Sequence, residues 1–228
     1  MPADTLAEEE LESRWEAAPG VVVVMAAQLL LAVVSKKEGW TLSGLSWWVW
    51  LIPLVPEVAL LLLLTWERPR RRLEQAGRRR MAVVSALALI SGANALLLVG
   101  LVTSLVRGRT SSGPQLLLEG SAVWGTNVVV FALWFWIVDR GGPVRRRRPH
   151  RPRPDFQFPQ LENPELAPPG WHPHFADYFY VSFTNSIAFS PTDAMPLTRK
   201  AKLLMLSGSA VSALTILLVA ARAINILR

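Results

Sequence analysis

The sequence predicts an all-helical, polytopic integral membrane protein with five transmembrane helices and one half-membrane helix, re-entrant or interfacial, before the last span. Hydrophobic residues make up 51% of the 228 residues, and charged residues make up only 18%, below the fraction usual in soluble domains. Apolar stretches of about 20 residues, the length of one bilayer crossing, recur along the chain. The Lys and Arg excess behind the net charge of +7 comes in blocks beside these stretches.

The apolar stretches place the predicted spans at residues 17–35, 42–65, 81–106, 116–138 and 203–227. The predicted division of the chain is an acidic interfacial helix at 1–16, a four-helix transmembrane region at 17–138, a basic, Pro-rich connector at 139–174 and a pore-loop-like module at 175–228. Thr5 and Glu8 form a predicted capping box in the first part. The eight prolines from Pro149 to Pro173 exclude a helix or a central strand from that stretch of the connector.

Two arginine blocks orient the chain, because Lys- and Arg-rich loops remain in the cytoplasm. Fourteen basic residues lie in the stretches 68–80 and 140–153, against four in the opposite loops. We therefore expect a cytoplasmic N-terminus, with the lipid bilayer and its anionic headgroups, rather than nucleic acid, as partners. The residues assigned to headgroup contact are Arg70, Arg71, Arg72, Arg145, Arg146, Arg147 and Arg148.

A short apolar and aromatic segment precedes the last span. As a helix, Phe175 to Phe189 is about 22 Å long at 1.5 Å per residue, too short to cross the bilayer, and Ser190-Pro191 ends it. A polar turn then leads to the last span. Because a short helix, a polar turn and a full helix are the order of a pore-loop module, we expect this segment to enter the membrane only partway.

The residues of this segment have a recognisable pattern. Tyr180-x-Ser182-Phe183-Thr184 leads to Asp193-x-x-Pro196-x-Thr198. From Asp177 to Leu227 the chain resembles the pore helix and post-filter turn of the potassium-channel superfamily, in which an aromatic-Ser-Phe helix leads to T-x-G-Y-G-D-x-x-P-x-T. The resemblance implies a channel-like homo-oligomer. The residues it places at a constriction are Thr184, Asn185, Ser186, Ser190, Thr192 and Asp193.

The filter positions depart from that family. Ala188-Phe189-Ser190-Pro191-Thr192 stands where those channels have T-V-G-Y-G. Glycines permit the dihedral angles that turn filter carbonyls toward the ion, and Pro191 fixes its own φ and restricts Ser190. We therefore expect permeation of a small ion without potassium-type selectivity. A channel pore loop would also place residues 145–148 outside the cell, whereas the positive charges of the loops place these residues in the cytoplasm. We favour the orientation that the loop charges predict.

A second pattern lies in the same segment. Asp177 to Phe183 reads D-Y-x-Y-x-x-F, and a turn containing Ser190 and Asp193 precedes the final helix. The whole chain is similar in this respect to a bacterial family of predicted integral membrane proteins known only as a domain of unknown function. This resemblance implies a multi-pass protein of the bacterial cytoplasmic membrane and no particular activity.

Glu57 lies in the second predicted span, after Pro53 and Pro56. An ionised carboxylate at that depth is costly and is expected to face a partner or a water-filled cavity. Glu57 is therefore a candidate cation or proton site, with a protonated or structurally paired carboxyl as the alternative.

Asn94 and Asn127 fall at the centres of the third and fourth predicted spans, where they could meet at one depth. Amides in that position more often hold helices together than bind a ligand. Glu119 and Arg222 lie nearer the span ends, where snorkelling to water is the expected behaviour.

The sequence lacks the residues that several functional classes require. The chain has no cysteine, so disulfides and thiolate metal sites are excluded. His172 and His174 could reach one ion, but no third ligand stands nearby, so neither a metal nor a cofactor is expected. Nucleophile elbows, metalloprotease motifs and nucleotide loops are missing, so we expect no enzyme. The alternatives to a channel are a non-conducting membrane scaffold or interaction protein and a small-solute transporter that uses Glu57.

Overall fold

The computed structural model describes residues 15–66, 78–108, 112–146, 153–190 and 193–226. Some predictions fall outside this part of the chain or on side chains that are not described. They are the capping box of Thr5 and Glu8, the headgroup contacts of Arg70, Arg71, Arg72, Arg145, Arg147 and Arg148, and the constriction residue Thr192.

The described chain is mostly helical. Its α-helices are α1 (Ala18–Glu38), α2 (Leu54–Thr65), α3 (Arg79–Val106), α4 (Gly113–Val138), α5 (Pro143–Arg146), α6 (Pro159–Glu162), α7 (Phe175–Ala188) and α8 (Arg199–Ile226). Short 3₁₀ helices cover Trp47–Leu51, Asp139–Gly141 and Pro164–Leu166. Two strands, β1 (Phe156–Gln157) and β2 (Met195–Pro196), pair antiparallel, with Phe156 opposite Pro196.

Five helical segments of the described residues are long and apolar enough to cross a membrane. They are Ala18–Glu38, Trp47–Thr65, Arg79–Val106, Gly113–Gly141 and Arg199–Arg222. Each overlaps one predicted span, so the prediction of a helical chain with five such segments is confirmed. Large apolar side chains on their surfaces, such as Val55 at 75% and Leu96 at 71% exposed, suit a hydrocarbon surrounding.

The second of these segments is interrupted before α2, and its prolines explain where. Pro53 is the residue that precedes α2, and Pro56 lies in its first turn. A proline is tolerated there because the first N–H groups of a helix have no intrahelical acceptor. The break therefore separates the Trp47–Leu51 turn from the α2 helix without a lost helical hydrogen bond.

The Pro-rich connector contains short elements, and the helix α6 corrects the prediction that no helix forms there, whereas β1 is an edge strand of a two-stranded sheet and not a central strand. Pro159 occupies the first turn of α6, where its missing N–H costs nothing. Strand β1 contains no proline, and Phe156 and Phe158 are fully buried. The prolines thus stand beside the short elements or at their starts rather than preventing them.

The chain packs as two compact units. The first takes its described residues from Met1–Ala17 and Val128–Ala210, and the second from Ala18–Asn127 and Val211–Arg228. The division of the chain predicted at residues 16, 138 and 174 stays a prediction. The first has an aromatic core in which the Phe158 and Tyr178 rings meet edge to face at 5.4 Å. The core of the second includes Trp50, Leu101 and Leu116.

Candidate functional site

A buried ion pair between Asp139 and Arg146 lies in the first unit. Their side chains are 0% and 3% exposed, and Arg146 Nη1 lies 3.3 Å from Asp139 Oδ2. The Tyr178 hydroxyl donates to the same oxygen at 2.6 Å, and the backbone N–H groups of Asp155 and Phe156 donate to Asp139 Oδ1 at 2.8 and 3.2 Å. Both carboxylate oxygens are therefore satisfied, as a buried charge requires.

The Tyr178 ring and hydroxyl also contact the guanidinium. Arg146 Nη1 donates a hydrogen bond to the Tyr178 oxygen, and the guanidinium carbon lies 4.8 Å from the ring centroid. Burial raises the pKa of Tyr178; the Arg146 charge lowers it and Asp139 raises it further. The phenol therefore keeps its proton and acts as a donor to Asp139.

A tight turn returns Arg146 to Asp139. After α4 the backbone φ is +79° at Gly141 and +101° at Gly142, a region that favours glycine. A Cβ on Gly142 would also lie only 3.2 Å from the Ile137 carbonyl oxygen. The two glycines thus permit a reversal over which α5 places the guanidinium beside the end of α4.

The burial of Arg146 differs from the lipid-headgroup contact expected from the sequence. Its Nη2 donates to the Trp136 carbonyl oxygen at 3.3 Å, in addition to the contacts with Asp139 and Tyr178. A guanidinium held in this way is shielded from lipid. The headgroup contacts of the other six arginines remain predictions.

Asp155 connects the Pro-rich segment to the start of α8. The Thr198 hydroxyl donates to Asp155 Oδ1 at 2.6 Å, and the Leu197 N–H donates to the Asp155 carbonyl oxygen at 2.9 Å. Thr198 Oγ1 in turn accepts from the Ala201 N–H at 3.3 Å, an N-cap contact at the third residue of the helix. The threonine of the D-x-x-P-x-T pattern is therefore a helix cap held by a connector carboxylate.

The polar face of α7 is buried within the first unit. Asn185 and Ser186 are 3% and 1% exposed. Asn185 Nδ2 donates to the Met205 carbonyl oxygen at 3.1 Å, while the Ser182 hydroxyl donates to the Val128 carbonyl oxygen at 2.7 Å. Ser182 is part of the aromatic-Ser-Phe pattern in the sequence, but no role was predicted for it.

The other constriction candidates are arranged differently. Thr184 donates to the Tyr180 carbonyl oxygen of its own helix at 2.9 Å. Beyond the left-handed residue Phe189, with φ of +54°, Ser190 is exposed. Asp193 is half-buried, and partial burial, with a smaller effect of Asp177, raises its pKa. The described candidates thus comprise two buried residues, one residue bonded to its own helix and two accessible residues.

Glu57 in the second unit has a buried partner, Gln28. Glu57 is 2% and Gln28 1% exposed, and Gln28 Nε2 donates to Glu57 Oε1 at 2.9 Å. The same nitrogen lies 3.4 Å from Thr126 Oγ1. The sequence predicted that Glu57 faces a partner or a water-filled cavity, and it did not identify Gln28. The available signal was a single amide within the otherwise apolar first span.

Glu119 is buried within the second unit, so the expectation that it snorkels to water is wrong. The residue is 0% exposed, and Gln115 Nε2 donates to its Oε1 at 3.0 Å. Gln115 Nε2 also lies 3.4 Å from the Thr41 carbonyl oxygen. An amide one turn earlier on the same helix thus supplies the hydrogen bond that water would otherwise give.

Asn94 and Asn127 each bond to a group on another helix. Asn94 Nδ2 donates to the Val123 carbonyl oxygen at 3.2 Å, and Asn127 Nδ2 donates to Ser212 Oγ at 2.8 Å. These contacts join α3 to α4 and α4 to α8 within the second unit. They are of the kind that holds helices together in an apolar setting.

The connector histidines lie beside a glutamate. The rings of His172 and His174 are 4.6 Å apart, and His174 Nδ1 lies 3.1 Å from Glu16 Oε1. Glu16 Oε2 accepts from the Phe175 N–H at 3.1 Å. Within the described ranges, no group of three or more His, Cys, Asp or Glu side chains is placed to hold a metal ion.

These features define a class of protein, a mainly helical chain with five helices long and apolar enough to cross a membrane and with buried polar clusters. No protein-family model, curated protein or solved structure matches the chain. The two resemblances drawn from the sequence patterns therefore remain predictions.

Proposed function

We propose that this chain is a non-conducting membrane scaffold or interaction protein. The observation that carries the proposal is that polar groups around the pore-loop-like segment form hydrogen bonds with other groups of the same unit. Asn185 and Ser182 donate to carbonyl oxygens of their own unit, and Thr198 donates to Asp155. An ion-conducting wall needs carbonyls or polar side chains that face the ion. Groups already used in packing within one subunit are poor candidates for that task.

In the proposed setting, five helices cross the bacterial cytoplasmic membrane and α7 enters it only partway. The 14 residues of α7 span about 21 Å at 1.5 Å per residue, less than the hydrocarbon thickness. Its outer face is apolar, with Phe179 stacked on Phe183 at 6.4 Å and Ile187 50% exposed. Such a face suits hydrocarbon better than water.

Purified protein in lipid vesicles tests conduction directly. We expect sodium and potassium fluxes equal to those of protein-free vesicles, with added gramicidin as the positive control. Flux that rises with the amount of protein, and that Asp193→Asn alters, would overturn the non-conducting function.

A channel-like protein is the second candidate, and one observation favours it. The 14-residue α7, the left-handed turn at Phe189 and the 28-residue α8 follow in the order of a pore-loop module, with Ser190 exposed nearby. For this candidate, Asp193→Asn should change flux or ion preference. Glu165→Gln, an exposed connector substitution, is the matched control.

The proposed orientation, with a cytoplasmic N-terminus, has its own test because the chain has no cysteine. Single cysteines at Ser112 and, separately, at His150 can be treated with an impermeant thiol reagent in intact cells. Labelling at 112 and protection at 150 would support the orientation that the arginine blocks predict. The reverse pattern would overturn it and support the channel candidate.

A further inference from the structure

Glu57 and Gln28 form one hydrogen bond and leave two atoms without a partner. Gln28 Nε2 donates to Glu57 Oε1 at 2.9 Å. Glu57 Oε2 and Gln28 Oε1 are both buried, and neither has a hydrogen-bond partner among the described residues. A buried oxygen without a donor costs more than an average hydrogen bond contributes. The two orphaned atoms belong to the two side chains that already face each other.

The charge on Glu57 has no counter-ion in the part of the chain that the structure describes. The ion pairs of Asp139 with Arg146 and of Glu16 with His174 lie in the first unit, and neither includes Glu57. The polar side chains grouped with Glu57 are those of Gln28 and Thr126, which are neutral. An ionised carboxyl would therefore be an unpaired charge in an apolar surrounding.

A proton resolves both problems at once. A protonated carboxyl offers one donor and one acceptor, and a glutamine amide offers the complementary acceptor and donor. With the proton on Glu57 Oε2, that oxygen becomes a donor, and Gln28 Oε1, on the amide already bonded to Glu57, is an acceptor without a donor of its own. A divalent cation would leave excess positive charge, and Ca²⁺ takes about six to eight oxygen ligands.

We infer that Glu57 is a resident proton-binding site, in which the bound proton completes a two-point amide–carboxylic acid pair with Gln28. The proton comes from hydronium in the solvent: one of its O–H bonds breaks, the Oε2–H bond forms, and a water molecule is left, with no bond broken in the protein. Glu119 differs from Glu57: its Oε2 is buried without a partner among the described residues, but the Oε1 of Gln115 is not among the fully buried atoms that lack one. The inference does not rest on the scaffold function proposed above.

Infrared difference spectroscopy of the full chain in lipid at neutral pH tests this site. In the spectrum of wild type minus Glu57→Gln, we expect the carbonyl-stretch band of a protonated carboxyl, and we expect it to shift in D2O. Glu165→Gln, at an exposed position, supplies the matched signature of a glutamate lost from the surface. Loss of carboxylate bands alone in Glu57→Gln would overturn the inference.

A second variant covers the case in which Glu57→Gln fails to fold. Gln28→Leu keeps the carboxyl but removes the amide that bonds to it. We expect the protonated-carboxyl band to shift to higher frequency, because its hydrogen bonds are lost, or to give way to carboxylate bands. An unchanged spectrum in Gln28→Leu would overturn the two-point pair. Both results are independent of whether vesicles show ion flux.

Discussion

Thr198 donates its hydroxyl hydrogen to Oδ1 of Asp155 over 2.6 Å, across 43 residues of sequence. This bond places a connector carboxylate at the first turn of α8, where Thr198 also caps the helix through the Ala201 N–H. The D-x-x-P-x-T pattern, from which the sequence predicts a post-filter turn, ends here in a contact that stabilises the fold. Asp155 also connects the turn to the ion pair of Asp139 and Arg146, since the Asp155 N–H donates to Asp139 Oδ1.

Replacing Thr198 with valine should lower the free energy of unfolding by about 1–3 kcal/mol, because a cap and a bond to a carboxylate are lost together. Thr103→Val is the control, since the Thr103 hydroxyl donates to the Val99 carbonyl oxygen of its own helix. Denaturant titration in mixed micelles measures both variants. Equal losses in the two would contradict the role assigned to Asp155.

Asp139→Asn should lower the free energy of unfolding by about 3–5 kcal/mol, because it leaves the buried Arg146 charge without its counter-ion. The double variant Asp139→Asn/Arg146→Met should recover part of that loss, since it also removes the uncompensated charge. The measurement is a double-mutant cycle under one denaturant. Additive losses would show that the two side chains do not interact.

The stability of the protein should fall at alkaline pH through Tyr178. Burial raises the pKa of Tyr178 in the folded state, whereas in the unfolded chain a tyrosine loses its proton near pH 10. The contribution of Tyr178 is therefore fully present below about pH 10 and is lost as the pH rises above it. Tyr178→Phe should show a smaller decline in unfolding free energy between about pH 10 and 12, and parallel curves would contradict the assignment.

Gly120→Ala should destabilise the second unit. A Cβ at this position would lie 2.5 Å from Val219 Cγ2, and a β-branched side chain has few other rotamers into which it can move. We expect the free energy of unfolding to fall by about 1–3 kcal/mol. Gly125→Ala, five residues later on the same helix, meets nothing within 4 Å and should be neutral or stabilising by about 0.5–1 kcal/mol. Thermal unfolding compares the two, and equal midpoints would contradict close packing at Gly120.

The helical class and the five long apolar segments could be predicted from the sequence because length and apolar content are properties of a continuous stretch of chain. The second span was predicted as continuous over residues 42–65, although Pro53 and Pro56, which act on their own backbone, mark the place where α2 begins. Glu57 could be recognised as a residue in need of a partner, because the cost of a buried carboxylate does not depend on which helix approaches it.

The partners of the buried polar side chains could be identified only from the tertiary structure. Arg146 stands in a run of four identical arginines, and nothing in that run distinguishes the one whose guanidinium reaches Asp139 and Tyr178. Its burial depends on the glycine turn and on a helix that begins almost thirty residues later. Gln28 bonds to Glu57 across 29 residues in the same way. The length of an apolar stretch is a local property of the sequence. The pairing of buried polar groups depends instead on which helices meet and on how each helix is rotated about its own axis.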